Sequence, residues 1–73
     1  MPNAVREELQ RILRVIRITP FSGHRATDVD LENVRRIHIT RIWHFLYYRV
    51  HHDPERIELL ALWSDSRGAG PPI

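Results

Sequence analysis

Cysteine and lysine are both absent from this 73-residue chain, which also holds only three glycines and one methionine. Without cysteine there is no disulfide staple, no thiolate metal site, no cysteine nucleophile and no thiol redox motif. A chain this short supports one domain, here taken as residues 1–73, whose core only just offsets the entropy of ordering it. Without lysine, all eleven basic side chains are arginine; they face nine acidic ones, for a net charge of +2. Arginine stays charged at every relevant pH and presents a planar fork of donors that fits phosphate and carboxylate. Such a surface suits nucleic acid or an acidic partner strand, although the codon bias of a GC-rich genome also replaces lysine by arginine. No apolar run approaches the ~18 residues that span a bilayer. The opening Met1-Pro2-Asn3-Ala4-Val5-Arg6-Glu7-Glu8 lacks the apolar stretch of a signal peptide. The expected location is therefore the cytoplasm, with no membrane partner.

What is present reads first as a helix over about 3–18. Val5, Leu9, Ile12, Leu13 and Ile16 draw one apolar stripe at helical period, with Arg6, Arg11, Arg14 and Arg17 on the solvated side. Pro2 or Asn3 can start it, as first-turn proline or side-chain cap. Glu7 and Glu8 sit near its positive end, and Arg14 and Arg17 near its negative end. Thr19-Pro20 stops it, because proline biases the preceding residue away from the helical region. Residues 20–32 are rich in turn formers and acids and read as a surface connection.

The second half reads as strands over about 34–40, 43–50 and 56–63. In the first, Ile37 and Ile39 alternate with Arg36, His38 and Thr40, which gives one buried and one basic face. The second carries apolar residues on both faces, with Trp43, Phe45 and Tyr47 on one and Leu46, Tyr48 and Val50 on the other. His51-His52-Asp53-Pro54 is a turn. The third strand is apolar on both faces except at Glu58, and residues 64–73 form a loop or tail. Short connections make the strands an antiparallel meander. The expected class is α+β, one helix on a three-stranded antiparallel sheet.

Few residues assemble into recognisable chemistry. Adjacent side chains in His51-His52-Asp53 point apart and lack a suitably spaced third ligand, so no metal is expected. No nucleophile–base set or phosphate-binding glycine loop is present, and no cofactor is expected. The aromatic residues Trp43, Phe45, Tyr47, Tyr48 and Trp63 alternate at sheet spacing and fit a core better than a stacking platform. Arg49, between aromatic residues, can stack on Tyr47 or Trp43.

Three segments carry a family likeness. They are Val34-Arg35-Arg36-Ile37-His38-Ile39, Phe45-Leu46-Tyr47-Tyr48-Arg49-Val50, and Arg56-Ile57-Glu58-Leu59-Leu60-Ala61-Leu62-Trp63, followed by Arg67-Gly68 and Pro71-Pro72. Over about residues 33–72 the chain resembles the RelE/ParE superfamily of toxins from type II toxin–antitoxin modules, also called plasmid stabilisation proteins. The resemblance implies a strand, a helical hairpin and three antiparallel strands. This chain then lacks the N-terminal strand and first helix, which implies an exposed sheet edge and an uncovered apolar face. It further implies a ParE-like toxin that inhibits DNA gyrase and is neutralised by a cognate antitoxin. The alternatives are a RelE-like ribosome-dependent mRNA endonuclease, with the ribosome and mRNA as partners, or a truncated inactive fragment. On the resemblance, Arg36, His38, Arg49 and Arg67 are candidates for binding the target or RNA, and Arg36, Arg49, Trp43 and Trp63 for binding the antitoxin. Phe45 lies near the position of a catalytic arginine in the RNA-cleaving members, no tyrosine follows Tyr48 to match their C-terminal one, and Ser64 stands where the family usually has a histidine. These departures favour the ParE-like branch.

Overall fold

A computed structural model describes residues 3–73. Helix α1 spans Ala4–Ile18, and strands β1 to β4 span His24–Arg25, Val34–Ile39, His44–His51 and Arg56–Ser64. All neighbouring strands are antiparallel, in the order β1-β2-β3-β4. The α+β architecture expected from the sequence is the one observed. One strand was not expected: the two-residue β1, within a segment read as a loop, pairs His24 with Arg36 and Arg25 with Arg35 on the outer edge of β2. Two residues are too short to show periodicity, so no sequence pattern marks them.

The apolar stripe of α1 packs as its spacing requires. Ile12 and Ile16 are buried against Ile39, Leu46 and Tyr48, with Leu9, Leu13, Ile37, Val50, Ile57 and Leu62 around them. Val5, at the helix start, stays exposed. The Asn3 side chain makes no cap; its carbonyl accepts the first helical bond, from the Glu7 N–H, at 2.9 Å. Pro2 lies outside the described residues. At the other end both the N–H and the hydroxyl of Thr19 donate to the Val15 carbonyl, at 2.9 and 3.0 Å, and the helix stops before Pro20.

Glu8 is a buried carboxylate on the packed side of the helix, only 6 % exposed. Arg11 donates to its Oε1 through Nε and Nη2 at 3.1 and 2.9 Å, and Arg41 donates to its Oε2 at 3.2 Å. Arg41 also reaches Glu7 at 3.2 Å, so it ties the helix to the 3-10 turn Thr40–Ile42. That turn separates β2 from β3 and ends at Trp43, whose φ of 55° is left-handed. Trp43 is therefore not the first strand residue, and it is 64 % exposed rather than packed in a core.

The last two strands contain a register shift. Tyr48 faces Leu59 and Tyr47 faces Ala61, so Leu60 is the extra residue of a β-bulge. The bulge inverts the alternation of β4. Ile57 and Leu62 join the helix-side core, whereas Leu60, Ala61 and Trp63 join a second cluster on the opposite face with Phe45, Tyr47 and Val34. Residues 26–31 and the C-terminal segment fold over part of that opposite face. Ala26, Val29 and Ile73 pack there, and the Ile73 carbonyl accepts the Asp30 and Leu31 N–H groups at 2.9 and 3.2 Å. Gly70 lies so close to the Asp28 carbonyl that any Cβ would collide with it. The outer side of β4 has no paired strand among the described residues.

Candidate arginine–aromatic face

The face of the sheet opposite α1 carries most of the residues singled out from the sequence. Arg36 and His38 share it, as strand alternation predicts, across from Tyr47 and Phe45 of β3. Phe45 in turn faces Trp63 of β4. The Arg36 guanidinium lies over the Phe45 ring at 4.2 Å, and that of Arg67 over the Trp63 ring at 4.4 Å. Two cations thus rest on two aromatic faces that are cross-strand neighbours, each held by attraction to the ring. A cavity of about 230 Å³ includes both arginines, both rings, Asp28 and Tyr47 in its wall.

The charges in this cavity are unequal in their commitments. Arg36 reaches Asp28 Oδ2 at a long 3.4 Å, and Tyr47 donates its hydroxyl to the same oxygen at 2.6 Å. Burial first, and then the Asp28 hydrogen bond, push the Tyr47 phenol above its usual range, while Arg36 pulls the other way. Arg67 has no carboxylate partner among the described residues. Its N–H edges are available to an oxyanion, and the half-committed Arg36 stands on the adjoining ring.

His38 belongs to the same face in a different role. Its Nε2 meets Asp65 Oδ2 at 2.8 Å and its Nδ1 meets Thr40 Oγ1 at 3.2 Å. In the neutral ring one nitrogen donates and the other accepts, so both partners are satisfied. The ring also packs edge-on against Phe45 at 4.9 Å. His38 is therefore a latch between β2 and the start of the C-terminal segment. Trp63 reinforces the latch by donating its indole N–H to the Ala69 carbonyl at 2.8 Å.

Arg49 does not join this cavity, and it does not stack on Tyr47 or Trp43. It faces Glu58 across β3 and β4 and donates Nε and Nη2 to Glu58 Oε1 at 3.0 and 2.8 Å. His51 Nε2 shares that oxygen at 2.7 Å. The hydrogen bonds of His51 and then Arg49 hold the Glu58 carboxyl below its usual range, against the opposing effect of burial. Arg49 is a structural ion pair. The exposed Trp43 sits at one end of the face, with its ring 6.3 Å from that of His38.

The face thus unites Arg36, His38, Arg67 and Trp63 and leaves Trp43 at its rim, while Arg49, further along the same face of β3, stands outside the cavity. Asp28, Tyr47 and Asp65 are partners that no spacing marks, because they lie 19 and 27 residues from the groups they hold. Among the described residues no group of histidines and carboxylates is placed to hold a metal ion. No helix there is long and apolar enough to cross a membrane. No family model, no curated protein and no solved structure matches this chain.

Proposed function

We propose that this chain is the toxin component of a bacterial type II toxin–antitoxin module, of the ParE-like kind that inhibits DNA gyrase. The reading starts from the RelE/ParE-like segments over residues 33–72. The observation that carries it is the pair of guanidiniums, Arg36 and Arg67, set on Phe45 and Trp63 with one of them lacking a carboxylate. An acidic antitoxin strand supplies carboxylates to those arginines and apolar side chains to the rings between them. The non-enzymatic branch is preferred to the RNA-cleaving one because Phe45 offers no charge near the position of those members' catalytic arginine and no tyrosine follows Tyr48.

The test is a supercoiling assay with purified protein at micromolar concentration. Slower supercoiling, relieved by the product of the neighbouring antitoxin gene, is expected. The double variant Arg36→Glu/Arg67→Glu should weaken antitoxin binding at least about tenfold, since like charges then face the antitoxin's acids. An unaffected gyrase sinks the reading. Cleavage of mRNA in translating ribosomes moves the chain to the RelE-like branch, and normal growth of cells making soluble protein marks it as inactive.

A further inference from the structure

A second cavity, of about 370 Å³, lies apart from the arginine–aromatic face and is lined by Phe21, Arg25, Asn33, Arg35, Val50 and His52. Its charge pattern is unusual. Arg25 and Arg35 are direct partners across β1 and β2. Like charges in that arrangement repel. Neither has a carboxylate within ion-pair distance among the described residues. Arg35 donates to the Gly23 carbonyl at 2.7 Å and, more weakly, to that of Phe21 at 3.4 Å. These neutral acceptors fix its position and leave its charge uncompensated.

The wall beside these cations is aromatic. The Phe21 ring is 54 % exposed, although phenylalanine on a loop gains nothing from facing water. The Arg35 guanidinium lies 4.7 Å from its centroid. The His52 ring is nearly parallel to it, at 21° and 6.2 Å. Asn33, with a left-handed φ of 62°, adds an amide with both donor and acceptor at the rim.

We propose that this cavity binds a nucleotide, with the base against Phe21 and His52 and the phosphate on Arg25 and Arg35. A phosphate offers several acceptor oxygens to two guanidiniums and relieves their repulsion. Flat rings stack on aromatic walls whatever their sequence identity. The volume falls in the lower part of the range for small-molecule sites, larger than inorganic phosphate needs. A free mononucleotide and the 5′-phosphorylated end of a single strand share this chemistry. The site is independent of any toxin activity.

The test is a titration of the isotope-labelled full chain with AMP, followed by amide chemical shifts. Adenosine, inorganic phosphate and a short 5′-phosphorylated oligonucleotide form the other arms. AMP should shift the amides of Phe21, Arg25, Asn33, Arg35 and His52 and saturate, with adenosine and phosphate each binding more weakly. Arg25→Gln and Phe21→Ala, both at exposed positions, should each weaken AMP about tenfold, the scale of one charged hydrogen bond or one stacked base. Arg25→Lys should recover part of the loss, and Arg14→Gln, at an exposed helix position outside the cavity, should leave AMP binding unchanged. An oligonucleotide that displaces AMP identifies a strand end as the ligand; one that fails to compete identifies the free nucleotide. Absence of shifts at these residues overturns the proposal. So does phosphate binding as tightly as AMP, or AMP binding that Phe21→Ala leaves intact, because the site then holds anions without reading a base.

Discussion

Tyr48→Phe is the substitution that most directly tests how the first loop is fastened to the sheet. The Tyr48 ring is fully buried in the helix-side core. Its hydroxyl donates to the Pro20 carbonyl at 2.8 Å and accepts the Gly23 N–H at 3.0 Å. Phenylalanine keeps the packing and removes only the oxygen. Losing a hydrogen bond costs about 1 kcal/mol net where the partner can turn to water, and about 1–2 kcal/mol where a buried N–H is left without a partner. Gly23 is buried while Pro20 is partly open to water, so the penalty falls mainly on the Gly23 N–H. The expected loss is about 2–3 kcal/mol, against a total of about 4–11 kcal/mol for a domain of this length. At about 4–8 °C per kcal/mol, the melting temperature should fall by roughly 10–20 °C. Urea denaturation followed by tryptophan fluorescence measures it. Tyr47→Phe is the comparison: its hydroxyl makes one charge-assisted bond, to an Asp28 carboxylate that is part-exposed and keeps Arg36, and its loss should cost about 1.5–3 kcal/mol without leaving a buried N–H unpaired. Gly23→Ala attacks the same fastening from the other side, because a Cβ there would lie 2.7 Å from the Tyr48 hydroxyl and 2.9 Å from the Arg36 carbonyl. A loss below about 0.5 kcal/mol for Tyr48→Phe would refute the reasoning, since it would mean that water reaches the Gly23 N–H.

Two further outcomes follow from the charges and the backbone. Glu8 and Glu58 both titrate below the ordinary glutamate value of 4.5 in the folded chain, Glu8 chiefly through Arg11 and Glu58 chiefly through His51. A depressed carboxyl stabilises the fold above its unfolded value and loses that effect as pH falls through the folded one, so the urea midpoint should drop from about pH 4.5 downward. Glu58→Gln should lower the midpoint at neutral pH and shallow the drop; an unchanged acid limb counts against the Glu58 pairing. Trp43 occupies a left-handed position at φ 55° while mostly exposed. Trp43→Asn should relieve strain of about 1 kcal/mol and raise the melting temperature, while weakening antitoxin capture if the ring is part of that surface. A lower melting temperature would show that the ring contributes more to packing than its exposure implies.

The sequence disclosed those parts of the fold that rest on long periodic runs. The stripe from Leu9 to Ile16 and the alternation around Ile37 and Ile39 each require burial on one side, and both are buried as their spacing demands. Element ends were less legible. Thr40 reads as the last residue of the first strand, yet it opens the 3-10 turn, whose Arg41 bonds the carboxylates of Glu7 and Glu8 more than thirty residues earlier. Arg49 was misread for a related reason. Its sequence neighbours are aromatic, but in an antiparallel sheet a strand residue meets its cross-strand partner first, and that partner is Glu58.

The arginine–aromatic face depends on a feature of one residue that no local pattern announces. With regular alternation, Trp63 would share a face with Ile57 and turn toward the helix, leaving Phe45 without its cross-strand tryptophan and Arg67 without a ring beneath it. The bulge at Leu60 shifts the register by one, so Trp63 faces Phe45 across the strands. This also explains why β4 reads as apolar on both sides. Its first half supplies Ile57 to one core, and after the shift its second half supplies Leu62 to that same core and Trp63 to the other. The basic strand face foreseen at Arg36 and His38 gains its second arginine–aromatic pair only through this shift. A guanidinium over an aromatic ring keeps its charge at the surface while the ring excludes water beneath it, which strengthens its attraction for an incoming carboxylate or phosphate. Arginine in place of lysine then matters physically whatever its genomic origin, because only the planar group can lie flat on Phe45 and Trp63 and still direct its N–H edges outward.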